Sequence, residues 1–346
     1  IGVALVLGLS SGMNAYINDI ESDSLAGFPI TINQSVQTDS FGPGSDAPNP
    51  TDLGDFPDDD IIYSYDAQAS TITHTNNMSD ALINYIEAMD TSLYTSISYV
   101  SAMQLHLISN PSTDQYEKVS AQTTQSMTPI GTNLVYQQLP NSDTFVQSQY
   151  DILSGSYPQN MNEAVIVVDG SNEISVDILD ALGISINDSY TFDALIGLTY
   201  KVIPNDTYYR QIGNVFLPNT NYELMYEDDN SIDLQIVGIM RIKENTTSEI
   251  LSEGLWYTEA LTRHMETLNV ASDVVQAQKA SVNMNVLTGE PFNTLLNYDA
   301  LLQLLGGDLT PRSIQIYPTT YDAKDDIKTY LNAYNEGKEQ EDQVVY

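Results

Sequence analysis

Three histidines, His74, His106 and His264, are the side chains in this sequence best suited to acid–base or metal chemistry. None of them has a second histidine or a cysteine at metal-ligand spacing, and Met265 and Glu266 follow His264 without forming a zinc-protease pattern. We therefore interpret all three as surface or core histidines. The sequence predicts no catalytic, cofactor-binding or metal-ligating residue, and no cofactor.

The 47 Asp and Glu residues are too numerous to indicate a site, because some pair will lie at the carboxylate spacing of a glycosidase by chance. Asp58, Asp59 and Asp60 lack the alternating oxygen ligands and the turn glycine of an EF-hand loop, so we interpret them as part of a solvated loop. Glycosidase sites also tend to present aromatic platforms, and Trp256 is the one tryptophan. A secreted acidic glycosidase or adhesin is therefore only an alternative function.

Motifs for thiol, nucleotide and acyl-transfer chemistry are absent from the sequence. The chain has no cysteine, which excludes disulfides, thiol catalysis, zinc–thiolate sites and iron–sulfur clusters. It has no G-x-x-x-x-G-K-[ST] loop and no G-x-S-x-G elbow, and Gly42-Pro43-Gly44 lacks the third glycine of a dinucleotide-binding motif. We therefore expect a non-catalytic protein that does not itself hydrolyse nucleotides.

The charge balance is strongly negative, with 47 acidic residues, 11 basic residues and a formal net charge of −36. Residues 1–117 contain no Lys or Arg. Nucleic-acid binding needs cations that replace phosphate counterions, so this composition excludes nucleic acid as a partner. The charge serves one of two purposes: it keeps an exposed surface soluble, or it attracts a cationic partner.

Hydrophobic patterns predict strands and helices without a regular βαβ alternation, which indicates an α+β fold. The clearest strand is the β-branched run at residues 164–169, followed by a short helix that Ser175 caps. Residues 97–108 and 234–240 are also predicted as strands. Residues 39–60, rich in Gly, Pro and Asp, are predicted as a loop.

Three further segments have apolar residues at helical spacing. Ser79 is the predicted N-cap of the first, and the second begins near Thr258 with Leu268 on its apolar face. Asp322 is the predicted N-cap of the third. Residues 313–317, which precede that helix, alternate as a half-buried strand.

The two ends of the sequence differ in character. Residues 1–9, IGVALVLGL, are apolar or glycine, but a membrane-spanning helix needs about 20 such residues. We interpret residues 1–24 as the outer end of a transmembrane helix that continues outward as a stalk. The polar residues 336–346 are interpreted as the start of a second stalk.

Several stretches together resemble the large outer domain of ABC-transporter permeases of the MacB/FtsX-like superfamily, in the forms found in Gram-positive bacteria. They are IGVALVLGLSSGMNAYI at the start, YDILSGSYPQNMNEAVIVVD in the middle, IVGIMRIKENTTSEILSEGLWYTEALTRHM after it, and RSIQIYPTTYDAKDDIKTYLNAYN near the end. The resemblance lies in the order of hydrophobic blocks and turns and carries no catalytic motif.

The resemblance implies an extracellular domain between the first two transmembrane helices of a cell-membrane permease. A porter-like α/β subdomain would comprise residues 28–145 and 309–335, and a mostly-β, sabre-like subdomain would be inserted at residues 146–308. The permease would form a homodimer or heterodimer, and a separate cytoplasmic ATPase would drive it. Mechanical transmission through the stalks would then couple ATP hydrolysis to export or extraction of a peptide, antibiotic or lipid-linked substrate.

Other functions are compatible with the same resemblance. The acidic surface would suit a module that senses or binds cationic antimicrobial peptides. The domain would also suit the regulation of a cell-wall hydrolase or the binding of an accessory adaptor protein. The long acidic loop, the size and the charge differ from Gram-negative MacB, which argues against contact with an outer-membrane channel.

Overall fold

A computed structural model describes most of the chain. The described residues are 28–39, 71–112, 115–123, 134–187, 189–244, 246, 248–292 and 297–346. Predictions for residues 1–24, for most of the loop at 39–60 with its three consecutive aspartates, and for Gly42-Pro43-Gly44 lie outside the described residues.

The described residues form a mixed α+β fold, which confirms the predicted class. The strands are β1 Ile30–Asn33, β2 Ser35–Asp39, β3 Thr71–Thr75, β4 Tyr94–Val100, β5 Leu107–Ser112, β6 Gln115–Lys118, β7 Tyr136–Gln138, β8 Tyr150–Gly155, β9 Glu163–Val168, β10 Thr199–Val202, β11 Tyr209–Ile212, β12 Val215–Pro218, β13 Ile232–Ile242, β14 Gly254–Tyr257 and β15 Ser313–Pro318. The helices are α1 Asp80–Glu87, α2 Asp143–Gln149, α3 Val176–Ala181, α4 Phe192–Leu195, α5 Asn205–Tyr208, α6 Tyr222–Tyr226, α7 Glu259–Asn269, α8 Asp273–Ala280, α9 Tyr298–Leu304 and α10 Tyr321–Asn335, with a 3₁₀ turn at Gln340–Asp342.

A small antiparallel sheet joins the two ends of the described chain in the order β1-β15-β4. Ile314 and Ile316 of its central strand are fully buried. They share a core with Ile86 of α1 and with Ile327 and Leu331 of α10. The two helices therefore cover this sheet, and strand alternation and helical spacing place matching apolar faces together.

Two predictions for this sheet need correction. Residues 313–317 do form a strand, but it is not half-buried, because every residue except Gln315 is buried. The strand is central, and Tyr317 packs against Phe145 with ring centroids 4.6 Å apart. The N-cap of α10 is Thr320, whose hydroxyl accepts from the amide of Ala323 at 3.0 Å. Asp322 lies two residues further on, within the first turn, where its charge favours the helix N-terminus.

A larger, curled mixed sheet has the order β6-β5-β10-β13-β9-β14-β7. The long strand β13 pairs antiparallel with β10 along its first half and with β8 along its second half. Its other edge pairs parallel with β9. The register between β13 and β9 shifts between Ile236 and Gly238, and Gly238 lies opposite Gly155 of β8.

The predicted strand at 164–169 is confirmed as β9, with Ala164 through Val168 buried. The helix after it is capped by Ser175, and Gly183 follows it with a φ of 68°. The helix near Thr258 is confirmed as α7. The apolar face predicted for α7 is wrong at Leu268, which is 39% exposed.

The predicted strand at 97–108 is two strands that belong to different sheets. Strand β4 ends at Val100 in the small sheet, and β5 begins at Leu107 in the large sheet. The residues between them include Met103 and Leu105, which are buried, so an apolar run continues through a connection without strand pairing. The strands β5, β6 and β7 thus pair in the large sheet, although they fall within the range 28–145 given to the porter-like part. The subdomain boundaries stay a prediction.

Candidate functional site

The three histidines lie in different parts of the fold. The Nε2 atom of His74 is 2.9 Å from the carbonyl oxygen of Gln343, and His264 lines a cleft of about 660 Å³ together with Asp206, Asp228 and Asp229. Among the described residues, no group of three or more His, Asp or Glu side chains is arranged to hold a metal ion. The histidines therefore do not come together in one site.

His106 is a core histidine. Its ring stacks on Tyr208 with centroids 3.5 Å apart and planes 9° apart, and the Tyr209 ring meets it edge-on. Lys118 donates to the Tyr208 hydroxyl at 2.6 Å. Burial, with the Lys118 charge as a smaller cause, lowers the pKa of His106 to about 3. This imidazole is neutral at physiological pH and has a structural place among the aromatic rings.

The two sheets meet at a junction with few direct contacts. The Asn141 amide donates to the Ser98 hydroxyl at 3.2 Å, and the Ser101 hydroxyl donates to Glu266 Oε1 at 2.8 Å. The Gln138 side-chain amide reaches the Tyr99 carbonyl at 3.4 Å. Apolar contact across the junction includes the packing of Phe145 against Tyr317. Two cavities lie between these contacts.

The first cavity, which we call the aromatic chamber, has a volume of about 430 Å³. Its walls include Trp256, Tyr257, Tyr317, Met103 and Leu139. All five of these side chains are buried, and the Trp256 indole N–H donates to the Ser252 carbonyl at 2.8 Å. Small-molecule sites are typically concave, largely apolar and located between packed units, as this chamber is.

The second cavity, which we call the acidic slot, has a volume of about 220 Å³. Glu87 of α1 and Glu259, Arg263 and Glu266 of α7 line it. Arg263 pairs with Glu259 at 2.6 Å, so Glu87 and Glu266 contribute the excess negative charge. Burial raises the pKa of Glu266, although the bond from Ser101 and the Arg263 charge oppose this effect.

Tyr99 also lines the acidic slot. Its hydroxyl is buried and has no hydrogen-bond partner among the described residues. Burial, reinforced by the nearby Glu87 charge, raises the pKa of Tyr99 to about 12, so the phenol keeps its proton. A buried hydroxyl without a partner is unusual in a folded protein and calls for an explanation.

The two cavities adjoin, because Ser101, Gln138 and Thr262 line both. The Thr262 hydroxyl donates to Gln138 Oε1 at 2.6 Å, so these side chains form the boundary between chamber and slot. The junction therefore presents an apolar aromatic volume next to a small negatively charged one.

The last described residues are held by two asparagine side chains. Asn335 of α10 accepts from the Val344 amide and donates to the Val344 carbonyl, both at 2.8 Å. Asn76 does the same for Val345, at 2.8 Å and 2.7 Å, and its amide also donates to the Asn33 carbonyl at 2.7 Å. Each asparagine side chain thus bonds the amide and the carbonyl of one residue, as a neighbouring strand would. Asn76 also connects this segment to the end of β1 through its bond to the Asn33 carbonyl.

Both ends of the described chain contact the same helix. Lys324 of α10 donates to the Phe28 carbonyl at 2.7 Å, and the Tyr346 hydroxyl donates to the Lys328 carbonyl at 3.1 Å. Residues four apart on a helix are neighbours on one face. Residues 28 and 346 therefore each hydrogen-bond to α10, at helix positions four residues apart.

Comparison with protein-family models, curated proteins and solved structures found no match to this chain. Within the described ranges, no helix is both long and apolar enough to cross a membrane.

The junction residues were not predicted from the sequence as a site. In the sequence, Glu266 stands out only as a neighbour of His264, and Trp256 only as the single tryptophan. Tyr99 and Glu87 come from the small-sheet side, more than 150 residues away from Glu259 and Glu266 along the chain. Because such pairs depend on how the sheets pack, no local spacing could have indicated them.

Proposed function

We propose that this chain is the extracellular domain of a cell-membrane ABC-transporter permease, which couples ATP hydrolysis by a partner subunit to export or extraction of a substrate. The observation that carries this proposal is that Phe28 and Tyr346 each hydrogen-bond to α10. A domain inserted between two membrane helices must receive and return the chain at one face. This arrangement, together with the family resemblance, supports a role in mechanical transmission.

The junction between the sheets suits such a role. Closely packed cores resist continuous deformation, whereas units joined by a small, partly polar contact can change their relative orientation. Here the contact between the sheets is interrupted by two cavities. Motion delivered to the small sheet through its two ends would change this junction first, in a homodimer or heterodimer of the permease.

Location can be tested by cysteine labelling, because the 346 residues of this chain contain no cysteine that would react beside an introduced one. In intact native cells, the full-length protein with Ser171→Cys, at an exposed turn, should react with a membrane-impermeant maleimide. The matched control is Ala164→Cys, which is fully buried and should react only after denaturation. Reaction of Ser171→Cys only in permeabilised cells would place the domain on the other side of the membrane and refute the proposal.

Coupling needs a second experiment. The full-length protein, solubilised from native membranes and purified, should retain a cytoplasmic ABC ATPase subunit. Residues 28 and 346 contact one helix, so a bulky tag placed at either position should reduce transport without detaching that ATPase. Purification without any ATPase would contradict the coupling role even if the labelling result holds.

The acidic cleft favours a second candidate function, the binding of a cationic antimicrobial peptide. Asp206, Asp228 and Asp229 line it beside the exposed side chain of Leu224. However, Asp206 accepts from the Asp273 amide and Asp228 accepts from Asn230, so two of these carboxylates already have structural partners. Peptide affinity that does not fall steeply with salt would exclude this candidate.

A further inference from the structure

The aromatic chamber and the acidic slot have complementary properties. Trp256, Tyr257 and Tyr317 give the chamber a largely apolar wall, in which Arg312 is the charged residue. The slot has an excess of carboxylates, and its Ile83, Leu309 and Pro311 are apolar. One ligand that touches both volumes would need an apolar body and a cationic head.

The Tyr99 hydroxyl indicates which kind of cationic head the slot would bind. It is buried on the slot wall and has no partner in the part of the chain that the structure describes, and as an un-ionised phenol it can both donate and accept a hydrogen bond. Glu266 accepts from Ser101 through one carboxylate oxygen, which leaves the other available. A protonated amine would donate one hydrogen bond to the Tyr99 oxygen and one to a carboxylate, whereas a quaternary ammonium would satisfy neither.

We propose that the junction between the two sheets is a binding site for a small amphiphile with a protonated amine, whose apolar body fills the aromatic chamber and whose amine lies in the acidic slot. Gln138, which donates to the Tyr99 carbonyl and accepts from the Thr262 hydroxyl, lines both volumes and would be in contact with such a ligand. The inference does not depend on the transport role.

Other ligand classes fit less well. A carboxylate or sulfate head would face Glu87 and Glu266 and would be repelled. A neutral ligand would desolvate these carboxylates without giving them a partner, which costs free energy. A divalent cation would leave the chamber unused, and the described residues hold no cluster suited to one. The volumes of about 430 and 220 Å³ suit a ligand of drug-like size.

The single tryptophan gives a local readout of binding. Trp256 lies in the chamber wall and is the one tryptophan in the sequence, so all tryptophan emission comes from the chamber wall. We would titrate the full 346-residue chain with decylamine, which is protonated at neutral pH, and separately with decanoate, which has the same chain length. Decylamine should change the Trp256 emission saturably, and decanoate at equal concentration should not.

Variants separate this site from general attraction to a chain of charge −36. Glu266→Gln and Tyr99→Phe should each weaken decylamine binding about fivefold or more, because each removes a hydrogen bond to a charged group. The matched control Glu341→Gln removes an exposed carboxylate outside both cavities and should leave the affinity unchanged. Ala102→Phe, which fills part of the chamber, should abolish the fluorescence response.

The outcomes are distinguishable even if one variant is unstable. Tyr99→Phe removes only an unpartnered hydroxyl, so folding should persist and a melting curve would verify it. Equal weakening by Glu341→Gln and Glu266→Gln, or equal binding of decanoate, would show nonspecific association and overturn the proposal. An unchanged response in Ala102→Phe would place the ligand outside the chamber and overturn it as well.

Discussion

The buried imidazole of His106 shows how burial fixes the protonation state of one residue. Its ring lies against Tyr208 and Tyr209, and its Nδ1 atom has no hydrogen-bond partner among the described residues. Protonation would place a charge in this apolar environment close to Lys118, and both effects lower the pKa of His106. The folded state therefore holds the neutral form.

This arrangement predicts a specific loss of stability in acid. The pKa of His106 is about 3 in the folded protein, below its ordinary value of 6.5, so the unfolded chain binds the extra proton first. Above pH 6.5, protonation of His106 does not lower the free energy of unfolding. As the pH decreases below that value, the free energy of unfolding falls by at most about 1.4 kcal/mol per pH unit. His106→Phe keeps a stacked ring and should reduce this slope in urea unfolding between pH 7 and 5. An identical slope in the variant would contradict the assignment.

For single residues, the sequence predicted the kind of environment better than it predicted which residues are in contact. His106 was expected to be a surface or core histidine, which is correct, but nothing in the sequence indicated stacking on Tyr208, about 100 residues later. The N-cap of α10 was placed at Asp322 instead of Thr320, because Thr and Asp both serve as caps and only the backbone conformation distinguishes them.

Residues 343–346 form no strand, and side chains hold this segment in place. Asn76 and Asn335 each bond both polar backbone groups of one residue in this segment. Buried backbone groups that lose such partners are costly. These bonds fix the end of the described chain against β1 and α10.

Asn76→Ala should therefore weaken this end of the fold. The buried Asn76 side chain serves Val345 and Asn33, so its loss should lower the free energy of unfolding by about 2–4 kcal/mol. The Val345 amide should also exchange its hydrogen faster. The control is Asn77→Ala at the exposed neighbouring position, which should change stability by less than about 0.5 kcal/mol. Equal effects of the two substitutions would mean that the bonds from Asn76 do not stabilise the segment.

The pairing of β8 with β13 depends on two glycines that face each other. Gly155 has a φ of 75°, and a Cβ atom there would lie 2.1 Å from the Val237 carbonyl oxygen. Gly213 has a similar φ of 64°, but a Cβ atom there would meet nothing within 4 Å. The two positions therefore separate the cost of backbone conformation from the cost of a clash.

Gly213→Ala should cost about 1–2 kcal/mol, from the left-handed conformation alone. Gly155→Ala should cost about 3 kcal/mol or more, because the β8–β13 backbones must also move apart. Chemical denaturation of both variants would measure the difference. Equal destabilisation would show that the two strands separate without penalty.

At the element scale, continuous apolar runs predicted strands well and sheet membership poorly. Residues 164–169 form β9, and residues 234–240 form the centre of β13. Residues 97–108 read as one strand, yet they form parts of β4 and β5 with a buried connection between them. The division follows from pairing with β15 and β10, which are distant in sequence, so local pattern could not show it.

At the scale of the whole molecule, the net charge of −36 opposes the compact state through self-repulsion. The described residues form three ion pairs, Lys201–Asp233, Arg263–Glu259 and Lys328–Asp325. All three involve at least one well-exposed partner, so each contributes little. With 47 acidic and 11 basic residues, most acidic side chains therefore have no basic partner, although several accept hydrogen bonds.

Salt should therefore stabilise the whole fold. Between 0.01 M and 1 M NaCl the Debye length falls from about 30 Å to about 3 Å, which removes most of the repulsion between distant carboxylates. The melting temperature should rise with NaCl, and most of the rise should occur below about 0.2 M, where screening changes fastest. Sodium chloride and choline chloride should act alike at equal ionic strength, since screening does not depend on the identity of the cation. A melting temperature that stays constant below 0.2 M would show that the carboxylates are already compensated, for instance by bound cations, and the excess charge would then be a binding property of the surface.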